Sequence, residues 1–185
     1  VSLLSDCKIS LQALTDKIET KSYPEWIKRF DDLDAIENEK VIDGDLHPTK
    51  PGLTMGESVE MINKHSKGDA VIVTDVGQHQ MVACRYAKFT QSKSNVTSGG
   101  LGTMGFALPA AIGAKMGAPS REVVAVIGDG GYQMTIQELG TIFQQQVAVK
   151  IVILNNDFLG MVRQCQQLFF DKRYASTEMT NPDFV

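Results

Sequence analysis

Two hydrophobic rhythms divide the chain. Up to about residue 40, apolar positions recur at helical spacing. Leu3, Leu4, Ile9, Leu11, Leu14 and Ile18 mark one amphipathic helix, and residues 23–40 read as a second, highly charged one. Ser22 is placed to cap that second helix and Pro24 to sit in its first turn. Neither segment carries a chemical motif, and both read as helical packing or an inter-domain connector. Residues 41–53 hold Gly44, Pro48, Pro51 and Gly52 and read as an irregular linker. From Thr54 the rhythm changes: short β-branched runs alternate with helical stretches. Thr54 and Glu57 have capping-box spacing for a helix that turns Val59, Ile62 and Met55 to a core. Strands are predicted at 70–74, 95–97, 122–127 and 148–154. Helices are predicted at 80–89, burying Met81, Val82, Cys84 and Tyr86 in part, at 106–116, at 135–145 and at 159–169. Pro109 sets the start of the 106–116 helix near Gly105, and Thr135 with Glu138 has capping-box spacing for the next one. The tail through Asn181-Pro182 reads as a loop.

This alternation makes βαβ units. The expected fold is α/β, a doubly wound, mainly parallel sheet with helices on both faces, truncated at the C-terminus. Residues 1–53 would be the end of a preceding domain plus a linker, and residues 54–185 the sheet domain. With Val1 in place of a methionine and no clear stop after Phe184, the chain reads as a piece of something longer.

Composition narrows the function classes without choosing one. The 43% hydrophobic and 22% charged content is that of a soluble globular protein. Net charge is −4 with no cluster of Lys and Arg, which argues against a nucleic-acid surface. Cys7, Cys84 and Cys165 are far apart and odd in number, so reduced intracellular thiols are expected. No apolar run approaches the roughly 20 residues of a membrane span, and the N-terminus lacks a signal-peptide pattern. A cytoplasmic location is expected, with neither nucleic acid nor membrane as partner.

Chemistry concentrates where strands end. The run 123–156 is a strand, a Gly128-Asp129-Gly130-Gly131 turn, a helix and a strand ending in Asn155-Asn156. Open α/β sheets bind ligands at the carboxyl ends of their strands, so Asp129 and Asn156 are expected to face one site. Glycines beside the acid let backbone N–H groups approach a phosphate, and a carboxylate with an amide oxygen suits a hard cation. Two more loops belong to the same side, Asp75–His79 and the Ser98–Gly105 stretch with four glycines in eight residues. Taken singly, each reads equally as a plain turn. His79 alone is as well explained by a supporting hydrogen bond as by ligation, and the Gly100–Gly105 spacing opens no dinucleotide fingerprint. Their convergence on one side of the sheet points to a magnesium–diphosphate site.

Gly128-Asp129-Gly130, then 24 residues, then Asn155-Asn156 is similar to the diphosphate and metal motif of thiamine-dependent enzymes. TDVGQHQM at 74–81, TSGGLGTMGFALPAAIGA at 97–114 and NNDFLGMVRQ at 155–164 narrow this. Residues 68–185 resemble the C-terminal, diphosphate-binding domain of the acetolactate synthase (acetohydroxyacid synthase) catalytic subunit. The resemblance implies that Asp129, the Asn156 side-chain oxygen and the Phe158 backbone carbonyl hold Mg²⁺. Gln78, His79, Gly130, Gly131, Gly160 and Met161 would contact the diphosphate of thiamine diphosphate, and Val76 and Gly102 would line the cofactor. Met104 would wedge the cofactor into its bent form, a role suited to an unbranched thioether.

The implied reaction decarboxylates pyruvate and joins the remaining two-carbon unit to a second 2-oxo acid, with the cofactor carrying the carbanion. Acceptor pyruvate gives 2-acetolactate, and 2-oxobutyrate gives 2-aceto-2-hydroxybutyrate, both in branched-chain amino-acid biosynthesis. The family's activating glutamate lies on a pyrimidine-binding domain of a neighbouring subunit, so a homodimer or tetramer is implied, with a regulatory subunit as a further partner. Its FAD site lies mainly in a central domain outside this chain. The chain alone is therefore expected to be inactive. Two positions depart from the family: Cys165 replaces a Trp tied to acceptor preference and herbicide binding, and Val82 replaces another Trp. Rival readings are a related carboligase or decarboxylase, such as glyoxylate carboligase or a 2-oxo acid decarboxylase, and a non-catalytic phosphate-binding module.

Overall fold

The computed structural model describes residues 4–184, so Leu3 of the first predicted helix lies outside the described residues. Two compact units divide between Asp43 and Gly44. The first holds helix α1 (Cys7–Thr15), whose N-cap is Asp6, and helix α2 (Pro24–Glu37). Pro24 occupies the first turn of α2 as predicted, but the cap position is Tyr23 rather than Ser22 and makes no side-chain bond. Proline already removes one orphan N–H there, which lessens the need for a cap. The apolar stripes of both helices, with Ile9, Leu11, Trp26, Phe30 and Leu33, are exposed. Trp26 and Phe30, one turn apart, pack edge to face at 4.8 Å.

Residues 41–53 are less irregular than expected. A π-helical turn (Asn38–Ile42) runs into the short helix α3 (Asp43–Leu46), and only residues 47–53 are loop. Gly44 lowers helix propensity without ending the helix, whereas Pro48 and Pro51 exclude it.

From Gly44 onward the fold is a four-stranded parallel sheet in the order β2-β1-β3-β4. Its strands are β1 (Val71–Thr74), β2 (Asn95–Thr97), β3 (Val123–Gly128) and β4 (Lys150–Leu154). Val71 pairs with Val123 and Thr74 with Val126, and Val124 pairs with Lys150. The two central strands are buried on both faces and read as continuous β-branched runs for that reason.

Helices cover both faces. Val71, Val73, Val123, Ala125 and Ile127 pack on Ala107, Leu108 and Ala111 of helix α6 (Ala107–Gly117) and on Tyr132 of helix α7 (Asp129–Thr135). Ile142 of helix α8 (Glu138–Gln145) packs against the same cluster. The opposite face receives helix α5 (Gln78–Tyr86), against which helix α4 (Met55–Ser66) packs. Between α4 and that face an apolar cleft of about 550 Å³ is lined by Leu53, Met61, Ile62, Val124 and Val152. Thr54 and Glu57 form the full capping box at the start of α4. Helix α9 (Gly160–Phe169) closes the chain order.

Two elements differ from expectation in ways that matter for the site. Helix α5 starts two residues early, at Gln78, and buries His79, Ala83 and Tyr86, while Met81 and Cys84 are exposed. The predicted 135–145 helix starts three residues late, as α8 at Glu138, and a further helix, α7, precedes it where a glycine turn was expected. Helix α7 begins directly at Asp129, and Thr135 ends it, donating its hydroxyl to the Gly105 carbonyl at 3.0 Å. Thr135 therefore caps nothing, because tertiary contact with the Gly105 loop takes the hydroxyl.

Candidate active site

The strand order reverses direction between β1 and β3, the position at which open α/β sheets open a crevice. A pocket of about 180 Å³ lies there, at the carboxyl ends of β1, β3 and β4. Three helices begin on its wall: α5 at Gln78, α7 at Asp129 and α9 at Gly160. First-turn N–H groups have no acceptor inside their own helix, and three positive dipole ends converge. An anion is the natural occupant. Each pair of residues read from sequence as diphosphate contacts opens one of these helices: Gln78 and His79 in α5, Gly130 and Gly131 in α7, Gly160 and Met161 in α9. Val76, Gly102 and Met104 line the same pocket, as do Asp129, Asn156 and Phe158. A Cβ built on Gly130 would lie 3.1 Å from Leu159 Cδ2 and 3.5 Å from Met104 Cε, so a side chain there would fill the crevice. The Ser98–Gly105 loop brings Gly102 and Met104 in. Its glycines Gly102 and Gly105 both have positive φ, which is why the turn is written with glycine.

The acidic end of the pocket is built on oxygen. Asp129 is 2% exposed, and its Oδ2 accepts the Asp157 N–H at 3.0 Å and the Asn181 amide at 2.7 Å. The same Asn181 nitrogen donates to Asn155 Oδ1 at 2.8 Å and Asp157 Oδ1 at 2.9 Å. Asn156 turns the other way. Its Oδ1 accepts the Phe158 N–H at 3.1 Å, and its Nδ2 lies 3.5 Å from Gln78 Oε1. Phe158 faces Glu178 in an isolated antiparallel bridge whose hydrogen bonds use the Leu159 N–H and the Asp157 carbonyl. The Arg163 guanidinium stacks 4.0 Å from the Phe158 ring and 4.8 Å from the Tyr174 ring, anchoring this turn by cation–π contact. A buried carboxylate, an amide oxygen and a backbone carbonyl at one pocket wall form a hard donor set that fits Mg²⁺.

Several residues of the site went unread in the sequence. Asp157, Asn181 and Gln164, which accepts from Gln78 Nε2 at 3.1 Å, join it through contacts that no local pattern announces. Asp75 is the most buried of them, at 0% exposed. Its Oδ1 meets His79 Nε2 at 2.5 Å and its Oδ2 accepts the Gly105 N–H at 2.8 Å. A signal was present: an acid immediately after a short β-branched strand, at the end of β1 as Asp129 is at the end of β3.

The chain is similar in sequence to known proteins. Residues 75–185 match the family model described as thiamine pyrophosphate enzyme, C-terminal TPP binding domain. The acetolactate synthase large subunit of Lactococcus lactis subsp. lactis is 41% identical over 179 residues, covering 96% of this chain and 30% of that protein. The isozyme 2 large subunit of Escherichia coli K12 is 50% identical over 128 residues, 69% of this chain and 23% of that one. The mitochondrial acetolactate synthase catalytic subunit of Aspergillus candidus is 36% identical over 188 residues, 100% of this chain and 27% of its own. The chain thus spans less than a third of the length of these relatives.

Proposed function

We propose, for a chain that belongs to the thiamine pyrophosphate enzyme family through its C-terminal TPP-binding domain, that it anchors the cofactor in a carboligase acting on pyruvate and a second 2-oxo acid. The observation that carries this reading is the single pocket at the ends of β1, β3 and β4, which gathers all twelve residues that the family motifs name. The relatives are named acetolactate synthases, and the reaction in this proposal is condensation to 2-acetolactate or 2-aceto-2-hydroxybutyrate with loss of carbon dioxide.

In this reading the N–H groups at the starts of α5, α7 and α9 bind the diphosphate. Asp129, Asn156 Oδ1 and the Phe158 carbonyl would hold Mg²⁺, whose charge would offset the cost of a buried carboxylate. Once bound, thiamine diphosphate supplies the carbanion chemistry that decarboxylation and ligation need. Met104, from the glycine loop, supports the bend of the cofactor, and Val76 and Gly102 shape the wall beside it. The apolar part of this wall, with Leu154, Leu159 and Val162, keeps water from the reacting carbon. Cys165 lies one helical turn beyond Met161 on α9, and there it leaves the acceptor side more open than a tryptophan would.

Residues 54–185 form the diphosphate domain in this proposal, and residues 1–53 the end of a central domain with its connector. A neighbouring subunit contributes the pyrimidine-binding domain and the activating glutamate, which makes the enzyme a homodimer or tetramer. FAD binds mainly outside this chain, a regulatory subunit is a further partner, and the enzyme works in the cytoplasm. Among the described residues no helix is long and apolar enough to cross a membrane.

Two measurements on the full-length protein test the reading. Pyruvate should yield 2-acetolactate in the presence of thiamine diphosphate and Mg²⁺. In calorimetric titration, Asp129→Ala should abolish Mg²⁺-dependent cofactor binding. Equal binding with and without Mg²⁺ would instead favour a simple phosphate-binding module.

A further inference from the structure

Beneath the pocket floor lies an acid that the proposed cofactor contacts do not use. We propose that Asp75 is the positioning residue of the diphosphate site, fixing the proton of His79 on Nε2 and so setting what the other edge of the ring offers to the pocket. The inference deepens the cofactor reading and rests on it for its ligand.

The geometry is one carboxylate spent on two fixed donors. Asp75 Oδ2 accepts the backbone N–H of Gly105, which has no alternative protonation state, at 2.8 Å. Oδ1 meets His79 Nε2 at 2.5 Å, with the two side chains 0% and 6% exposed. An ionised carboxylate only accepts, so the ring nitrogen facing it must carry the proton. The opposite edge, Nδ1 and Cε1, lies against the backbone of Gly77 and Gly128, both lining the pocket. A Cβ built at Gly77 would lie 2.8 Å from Nδ1, and one at Gly128 2.9 Å. The ring is thus clamped by a carboxylate on one side and two side-chain-free turns on the other. Gly131 closes the arrangement from α7, since a Cβ there would fall 1.9 Å from Asp75 Oδ2. One buried carboxylate therefore touches the β1 turn, the glycine loop and the start of α7, three of the segments that form the anion cradle. Partners of this kind, acting through a ligating histidine, set its tautomer and orientation.

Asp75→Asn separates positioning from packing because it keeps the shape and reverses one donor. The Asn oxygen must still accept from Gly105, so its NH₂ faces His79 Nε2 and drives the ring proton to Nδ1. Long-range ¹⁵N–¹H correlation spectra of the full-length protein, with the His79 signals assigned by their loss in His79→Gln, read the tautomer directly. Wild type should be protonated on Nε2, and Asp75→Asn on Nδ1. Titration with thiamine diphosphate and Mg²⁺ should show about tenfold or more weaker binding for Asp75→Asn. In a His79→Gln background the same substitution should change affinity by less than about twofold, the non-additivity expected of a pair acting as a unit. Retention of the Nε2 proton in Asp75→Asn, or an equal loss of affinity in both backgrounds, would overturn the proposal and leave Asp75 a packing residue. If Asp75→Asn does not fold, the wild-type spectrum decides: a bare Nε2 overturns the assignment, a protonated one upholds it. Failure of wild type to bind thiamine diphosphate would defeat the cofactor reading instead, while the tautomer measurement would still stand.

Discussion

A side chain at position 131 has nowhere to go. The Cβ of an alanine would overlap the Asp75 carboxylate, forcing apart its bonds to His79 and Gly105. Overpacking of this kind destabilises by about 1–3 kcal/mol, and here the strain falls on buried hydrogen bonds as well. Gly131→Ala should therefore lower the thermal midpoint measured by calorimetry. Gly113→Ala in the middle of α6 is the matched control: nothing lies within 4 Å of its Cβ position, and replacing a helix-interior glycine should gain about 0.5–1 kcal/mol. At this scale the sequence disclosed the residues that face the pocket and concealed those that support them. Gly130, Gly131, Asp129 and Asn156 sit in short motifs whose composition states their chemistry. The role of Asp75 depends on a loop 30 residues away, and that of Asn181 on a carboxylate 52 residues away. Pairings at such separations leave no periodicity to read.

Helix starts decide much of the geometry, and they differ in how they are secured. Helix α4 has a complete box. The Glu57 N–H donates to Thr54 Oγ1 at 3.0 Å, the Thr54 N–H donates to Glu57 Oε2 at 2.9 Å, and the Thr54 hydroxyl also donates to the Asp45 carbonyl. Thr54→Ala should cost about 1–2 kcal/mol, measurable as a lower urea midpoint with an unchanged slope. Helices α5, α7 and α9 make no side-chain cap bond. Their first turns end at the pocket, where a diphosphate can do what a cap does elsewhere. This explains both outcomes of reading boundaries from pattern. The Thr54 box was legible because its partners are local. The start of α7 at Asp129 was not, because glycines that signal a turn here open a helix whose cap is the site itself. Met81 and Cys84 were misplaced for another reason: α5 turns His79, Ala83 and Tyr86, at helical spacing, inward and leaves the opposite side to solvent.

The strands carried the fold most openly. Continuous β-branched runs in β1 and β3 marked a sheet buried on both faces, and their alternation with helices implied parallel pairing. Strand order was not written in any segment, since it follows from which helices can pack on which face. The sheet and the pocket form one cooperative structure, so a ligand bound only by the folded state should stabilise all of it. Thiamine diphosphate with Mg²⁺ at a hundred times its dissociation constant should add about 2.7 kcal/mol. The thermal midpoint should rise with the two together, and chelation of the metal by EDTA should remove the gain. A ligand effect without metal dependence would contradict the assignment of Asp129, Asn156 and Phe158.

The outer rim of β4 has a consequence of another kind. Among the described residues β4 pairs with β3 alone, so one row of its backbone donors and acceptors faces outward along Lys150-Ile151-Val152-Ile153-Leu154. Beside it opens the apolar cleft that Val152 shares with Met61 and Ile62. Lys150, its one charge, is held in an ion pair with Glu122 and so guards the strand at its beginning only. An aliphatic strand with one unpaired rim beside an apolar cleft is where a further strand can add, from the rest of a longer chain or from another molecule. The strand that carries Asn155 and Asn156 to the pocket thus also offers the sheet its place to grow, and a charge placed along that rim would oppose the addition.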